Sequence, residues 1–174
     1  MIATTPSVTI ASERLSKNAI VLESAAGRQD AAVVPCAESL TEAEQEATDI
    51  PICMSANPAL RPTHVSVVRP GETVTVSLPG ADVTNPPDCF HTCSAVQIQP
   101  LECSDEPLSF FQLEDGAATD WTVDLEPGRY ELEVYAQFRG EDGREGIAQG
   151  KLGLVVDETA EQAVTPVQLG PCER

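Results

Sequence analysis

The stretch Asp124-Leu-Glu-Pro-Gly-Arg-Tyr130-Glu-Leu-Glu-Val134, continuing Tyr135-Ala-Gln-Phe-Arg139, decides the fold of this chain. From Arg129 onward every second residue is apolar. Tyr130, Leu132, Val134, Ala136 and Phe138 share one side, and Glu131, Glu133, Tyr135, Gln137 and Arg139 share the other. A period of two marks a strand with one face on a core. Ahead of it, Pro127-Gly128 reads as a tight connection, with Gly128 free to take a positive φ. Tyr130 follows two residues later, so its ring can enter the core while its hydroxyl bonds back to the corner backbone.

Working outward, the same signal recurs. Gly140–Gly146 is a hairpin loop, and Ile147–Val156 pairs back antiparallel. Upstream, Asp120–Leu125 puts Trp121, Val123 and Leu125 on one face. Leu108–Leu113 and Ala95–Leu101 are strands, the second with Val96 and Ile98 inward and Pro100 breaking it. Pro79–Asp88 holds Gly80, Asn85, Pro86 and Pro87 and reads as a loop. Thr73–Leu78 alternates Val74, Val76 and Leu78 against Thr73, Thr75 and Ser77, and Thr63–Val68 precedes it. Seven strands separated by turn signals predict an all-β sandwich over 57–157.

The corner Pro127-Gly-Arg-Tyr130 resembles the E–F corner of immunoglobulin-like domains. The run Val68-Arg-Pro-Gly-Glu-Thr-Val-Thr-Val76 resembles the start of bacterial immunoglobulin-like modules of secreted or lipoprotein type. The resemblance implies an immunoglobulin-like antiparallel β-sandwich. Such modules serve adhesion, ligand binding and surface assembly, so it implies no single function. No cysteine pair occupies the presumed B and F strands, which directs the disulfides to loops.

The flanks differ in character. Residues 1–56 read as an N-terminal extension, with short strands at Ser7–Ala11 and Ala19–Glu23 and a turn-rich Ala25–Pro35. One short helix is expected over Ser39–Ala47, where Ser39 with Glu42, or Thr41 with Glu44, fits a capping box. Eight or so residues do not hold a helix alone, and Cys36 and Cys53 flank this one. Residues 158–174 read as a tail with one further strand, Val164–Leu169, and Cys172.

The chain has 174 residues and a net charge of −18. A phosphate backbone would be repelled, which argues against nucleic-acid partners. No apolar run approaches the length of a membrane span. The six cysteines, Cys36, Cys53, Cys89, Cys93, Cys103 and Cys172, are even in number and read as a disulfide framework of an oxidising compartment. Met1-Ile-Ala-Thr-Thr-Pro6 lacks the regions of a signal peptide. The expectation is an extracellular or cell-envelope protein whose leader, of signal or lipoprotein type, was removed. Arginine outnumbers lysine, and with abundant Ala, Val, Pro and Gly this suggests a bacterial source.

No catalytic constellation and no cofactor motif stands out. His64 and His91 are the only histidines, too few and too isolated for a nucleophilic triad. Cys89, His91, Cys93 and Cys103 form the one cluster with metal-ligating chemistry, but without zinc-site spacing. Disulfides are the better reading there, with Cys103 linked to Cys89 or Cys93. Acids crowd the loops, among them Asp82, Asp88, Asp115 and Asp120, without the ligand spacing of a calcium site. A solvated acidic rim is the simpler account.

The expected role is a non-catalytic binding or adhesion module of a bacterial cell envelope, with a protein or surface ligand or a further copy as partner. A structural subunit that exchanges strands through residues 1–35 or the segment from Val164 is a second reading. A metal-binding protein is a third. The best ligand site is the loop Pro79–Ser94, which presents Phe90 and His91. Against it stands a bland alternative, in which Phe90 anchors the loop as a small satellite core. Tyr135, an outward aromatic on the longest strand, is the other contact candidate, whereas Pro127, Gly128 and Tyr130 are structural.

Overall fold

The computed structural model describes residues 20–34, 61–90, 93–104, 106–141, 143 and 145–170. In chain order its strands are β1 (Val21–Ser24), β2 (Gly27–Asp30), β3 (Ala32–Val34), β4 (His64–Val68), β5 (Thr73–Ser77) and β6 (Ala81–Val83). They continue with β7 (Ala95–Pro100), β8 (Ser109–Gln112), β9 (Ala118–Thr122), β10 (Gly128–Gly140), β11 (Glu145–Val156) and β12 (Ala163–Pro166). One sheet runs β2-β1-β5-β9. The other runs β12-β4-β11-β10-β7-β8, with β3 also on β11 and β6 also on β10.

The two sheets bury one core between them. Leu22, Val74 and Val76 of the smaller sheet face Val96, Ile98, Leu132, Val134, Phe138, Leu152 and Leu154 of the larger. Each such side chain contributes about 1.5–3 kcal/mol by leaving water. The alternation read in β10 is realised: Tyr130, Leu132, Val134, Ala136 and Phe138 are all buried. Trp121 packs against this core while half-buried, stacked on Phe111 with ring centroids 4.7 Å apart.

At the corner before β10, the Tyr130 hydroxyl donates to the Glu126 carbonyl at 2.6 Å. Burial first, and the Glu126 carboxylate second, push the phenol above its ordinary 10.0. Gly128 does not use a positive φ. A Cβ there would sit 3.2 Å from the Tyr130 hydroxyl, so glycine serves close approach rather than turn geometry.

The larger sheet is mixed rather than antiparallel. β4 pairs parallel with β11, Val65 opposite Gly153 and Val68 opposite Val156. β3 pairs with the same edge of β11 one step earlier, Ala32 opposite Lys151. The edge therefore changes partner at Gly153, and the Gln29 side chain fills the gap. Its Oε1 accepts from the Gly153 N–H at 2.8 Å, and its Nε2 donates to the Gly153 carbonyl at 2.8 Å and to Ser66 Oγ at 2.7 Å. Gln29 belongs to β2 in the smaller sheet, so this amide ties the two sheets together. Gly153 admits no side chain, because a Cβ would lie 2.4 Å from the His64 carbonyl oxygen.

The outer face of β10 is not a solvated charged surface. Glu131 is buried and accepts at Oε1 from Lys151 Nζ at 2.9 Å and from Gln99 Nε2 at 2.7 Å. Arg61 Nε lies 3.5 Å from the other carboxylate oxygen. Two cations and an amide on one carboxylate supply the pairing that buried charge requires.

Several expectations change. Ala25–Pro35, read as turns, contributes β2 and β3, because Gln29 and the pairing to β11 recruit it. β1 and Ile20 before it belong to the sandwich: Ile20 and Leu22 are fully buried, and β1 pairs with β5. Pro79–Asp88, read as a loop, holds β6, which pairs with the end of β10. Val164–Leu169 appears as β12, antiparallel to β4. The helix expected over 39–47 and the strand at 7–11 lie outside the described residues, as do Cys36, Cys53 and Cys172.

Gln29→Leu should cost about 2–3 kcal/mol in urea unfolding, because buried backbone groups of Gly153 lose their partner. Tyr130→Phe should cost about 1 kcal/mol for the lost corner bond. The raised phenol pKa has a second consequence. Its stabilisation is full below about pH 10 and is lost as pH rises further, since the unfolded chain ionises first. Wild-type stability should therefore fall more steeply than that of Tyr130→Phe between about pH 9 and 11.

Candidate functional site

Loops at the end of a sandwich vary freely while strands hold the fold, and one end is built around the segment from Thr84 to Ser94. Asn85 organises it. Its backbone N–H and its Nδ2 both donate to Asp115 Oδ1, at 2.8 and 2.9 Å. Nδ2 also donates to the Leu113 carbonyl at 2.8 Å, and Oδ1 accepts from the Ser94 N–H at 2.7 Å. One side chain thus ties the two ends of the loop to each other and to the segment that leads into β9. Ser94 extends the link, its Oγ accepting from the Gln137 N–H on β10 at 2.8 Å.

Between these anchors the loop is closed by a disulfide, Cys89–Cys93. Cys103 is also disulfide-bonded, so the pairing of Cys103 with Cys89 or Cys93 is replaced by a local five-residue ring. Adjacent loop cysteines reach one another without moving the strands. Arg61 Nη1 donates to Cys103 Sγ at 2.6 Å, and its Nη2 bonds the Leu101 carbonyl. No described cysteine is free. A sulfur in a disulfide is not a thiolate, so Cys89, Cys93 and Cys103 do not offer metal ligands in this state. Among the described residues no group of three or more His, Cys, Asp or Glu converges.

Phe90 is 89% exposed and has φ +30°. It does not form the satellite core that would anchor the loop; Asn85 supplies the anchor instead. A non-glycine residue at positive φ costs about 1–3 kcal/mol, and here the ring closure and the Asn85 bonds hold it. His91 lies outside the described residues. Tyr135 is on the outer face of β10, half-buried, between Ala95 and Gln149 in register.

Beside the loop lies a cleft of about 430 Å³ between Thr84–Pro86 and the β10–β11 hairpin. Gln137, Arg139, Glu145 and Ile147 line its far wall. Arg139 and Glu145 pair across the hairpin at 2.7 Å, both exposed, a contact worth little in stability. The lining mixes amide, hydroxyl, charged and apolar groups. The acidic residues nearby have structural partners: Asp115 holds Asn85, and Asp120 accepts from Thr75 Oγ1 at 2.6 Å. Asp157, farther along, accepts from Thr159 and Ala160, and these bonds hold its carboxyl below the usual range.

Sequence reading located the loop but missed Asn85 as its anchor, having counted it among turn residues. Its partners at Leu113 and Asp115 are 28 and 30 residues away, and no local pattern announces such contacts.

No family model matches the chain. No curated protein matches it. Among solved structures, it is similar to the extracellular domain of a hybrid two-component system protein from B. thetaiotaomicron. Identity is 11% and the TM-score 0.31, with 87% of this chain and 17% of that one covered. At that level the likeness carries no argument about fold or role.

Asn85→Ala removes three side-chain hydrogen bonds and should cost about 1–3 kcal/mol in urea unfolding. Limited proteolysis of the non-reduced protein should then cut within 84–94, where the wild type resists.

Proposed function

We propose that this protein is a non-catalytic, immunoglobulin-like binding module of the bacterial cell envelope, working outside the cytoplasm. The loop 84–94 and the adjoining cleft form its recognition surface. The single observation that carries this reading is Phe90, held almost fully exposed at a strained φ by a disulfide and an anchored loop. Strain of this kind concentrates at functional sites, and a preorganised loop loses little entropy on binding.

The immunoglobulin-like assignment draws support from strand order. β1-β5-β9 against β7-β10-β11 corresponds to A-B-E against C-F-G, with Tyr130 at the E–F corner. The extracellular assignment draws support from the disulfides, which persist in oxidising compartments. Among the described residues no helix is long and apolar enough to cross a membrane. The strand-exchange reading has less support, because residues 21–34 and 163–166 already pair within their own chain.

The test compares wild type with Phe90→Ala on arrays of glycans and extracellular proteins. Truncating a displayed ring should leave the melting temperature within about 1–2 °C. A ligand retained by the wild type should bind Phe90→Ala roughly tenfold more weakly. A large loss of stability, or equal retention of every ligand, would remove this reading.

A further inference from the structure

A sandwich has two open sides where its sheets end, and here they are closed very differently. On one side β2 and β12 sit at the sheet edges, and the buried Gln29 amide joins the sheets across the gap. On the other, β8 ends the larger sheet and β9 ends the smaller. The contact described between them there is the stack of Phe111 on Trp121, whose planes lie within 13° and whose rings are each half-buried.

Exposed apolar side chains lie on β8 and just before it. Phe110 is 72% exposed and Leu108, two residues earlier, 60% exposed. With Phe90 they are the large apolar side chains that the described residues leave in water. Among the described strands, β8 pairs on one edge alone, with β7. The Leu113 N–H donates to the Ser94 carbonyl at 2.8 Å, and the register pairs Phe111 with Val96 and Ser109 with Ile98. In an antiparallel pair, hydrogen-bonded positions alternate with open ones. Ser109 and Phe111 therefore face β7, and the peptide groups of Phe110 and Gln112 face outward along the edge.

The stretch of chain that supplies this edge carries charge of one sign. Residues 70–128, which supply β5 to β9, contain eleven Asp and Glu and neither Lys nor Arg. β8 itself is uncharged, with Glu106 before it and Glu114 and Asp115 after it. Acidic flanks, Pro107 and a length of four residues keep such an edge from pairing with a copy of itself. They leave it open to a strand of opposite charge.

We propose that the free edge of β8 takes up an extended, basic segment of a partner protein as an added strand. This is recognition by β-augmentation. The outward peptide groups of Phe110 and Gln112 would continue the ladder. Alternate side chains of the segment would cover Phe110 on one face and the Phe111–Trp121 stack on the other. Its Lys or Arg residues would meet Glu106 and Glu114. The surface is distinct from the loop that carries Phe90.

Trp121 is the single tryptophan and reports on this edge directly. The probe is a blocked octapeptide alternating Lys and Val, with one alternating Lys and Pro as control. The two have equal charge, but the second lacks half of the N–H donors of an added strand. Titrating the Lys–Val peptide should shift Trp121 emission saturably to shorter wavelength, with affinity roughly tenfold above the control. Gln112→Pro, which removes an outward N–H without touching the β7 ladder, should abolish that preference. Phe110→Lys, a change at an exposed position, should weaken binding where Gln112→Pro fails to fold. Phe90→Ala should bind the peptide as the wild type does. Equal affinity for the two peptides would overturn the proposal, as charge alone would explain it. Undiminished binding by both edge variants would also overturn it. So would a dimer in size-exclusion chromatography that Gln112→Pro dissolves, since the occupant would then be a second copy.

Discussion

A side-chain amide standing in for a peptide group holds this sandwich together. β11 is a long strand whose outer edge is served by β3 and then by β4, and no single partner spans the change. A buried N–H and C=O left open at that point would cost more than a hydrogen bond returns. Gln29 carries a donor and an acceptor in the geometry of a peptide and meets both groups of Gly153. Because Gln29 is rooted in the other sheet, the same contact sets how the sheets meet. Gly153 is bound to the arrangement by sterics, since the parallel approach of β4 leaves no room for a Cβ.

The same sheet accommodates charge on its outer face. Glu131 sits between core residues in sequence yet points away from the core, where Lys151, Gln99 and Arg61 surround it. Lys151 is one of only two lysines in the chain, and it is spent here rather than on the surface. Removing either partner of such a pair leaves an uncompensated buried charge, so the cluster constrains sequence more than it adds stability. It also leaves the remaining surface more acidic, which is the field any partner meets first.

The proposed recognition surface depends on how the fold finishes its ends. Rigid strands deliver Asn85, Leu113 and Asp115 to one pole, and their hydrogen bonds let a short disulfide ring project Phe90 into solvent. An exposed aromatic on a fixed backbone is an economical contact group, because little freedom remains to be lost. The contrast between the sealed side at Gln29 and the side closed by the Phe111–Trp121 stack gives the molecule a polarity that its charge pattern repeats.

Much of this was legible in the chain itself. The alternation in β10, the Pro127-Gly128-x-Tyr130 corner and the valines of β5 determine an all-β sandwich, because strand periodicity and turn chemistry are local properties. The segment Pro79–Ser94 was legible as a constrained loop from its prolines and cysteines, though not the pairing of Cys89 with Cys93. What tertiary structure alone decided is which distant groups meet. Nothing near Gln29 in sequence points to Gly153, 124 residues away, nor near Glu131 to Arg61. Asn85 read as a turn residue until Leu113 and Asp115 arrived beside it, and display or burial of Phe90 were both open readings until the anchor of the loop proved to be Asn85. Periodicity tells a side chain which face it takes. Whether that face meets water, a charge or another strand depends on closure of the whole chain, and short-range patterns do not encode it.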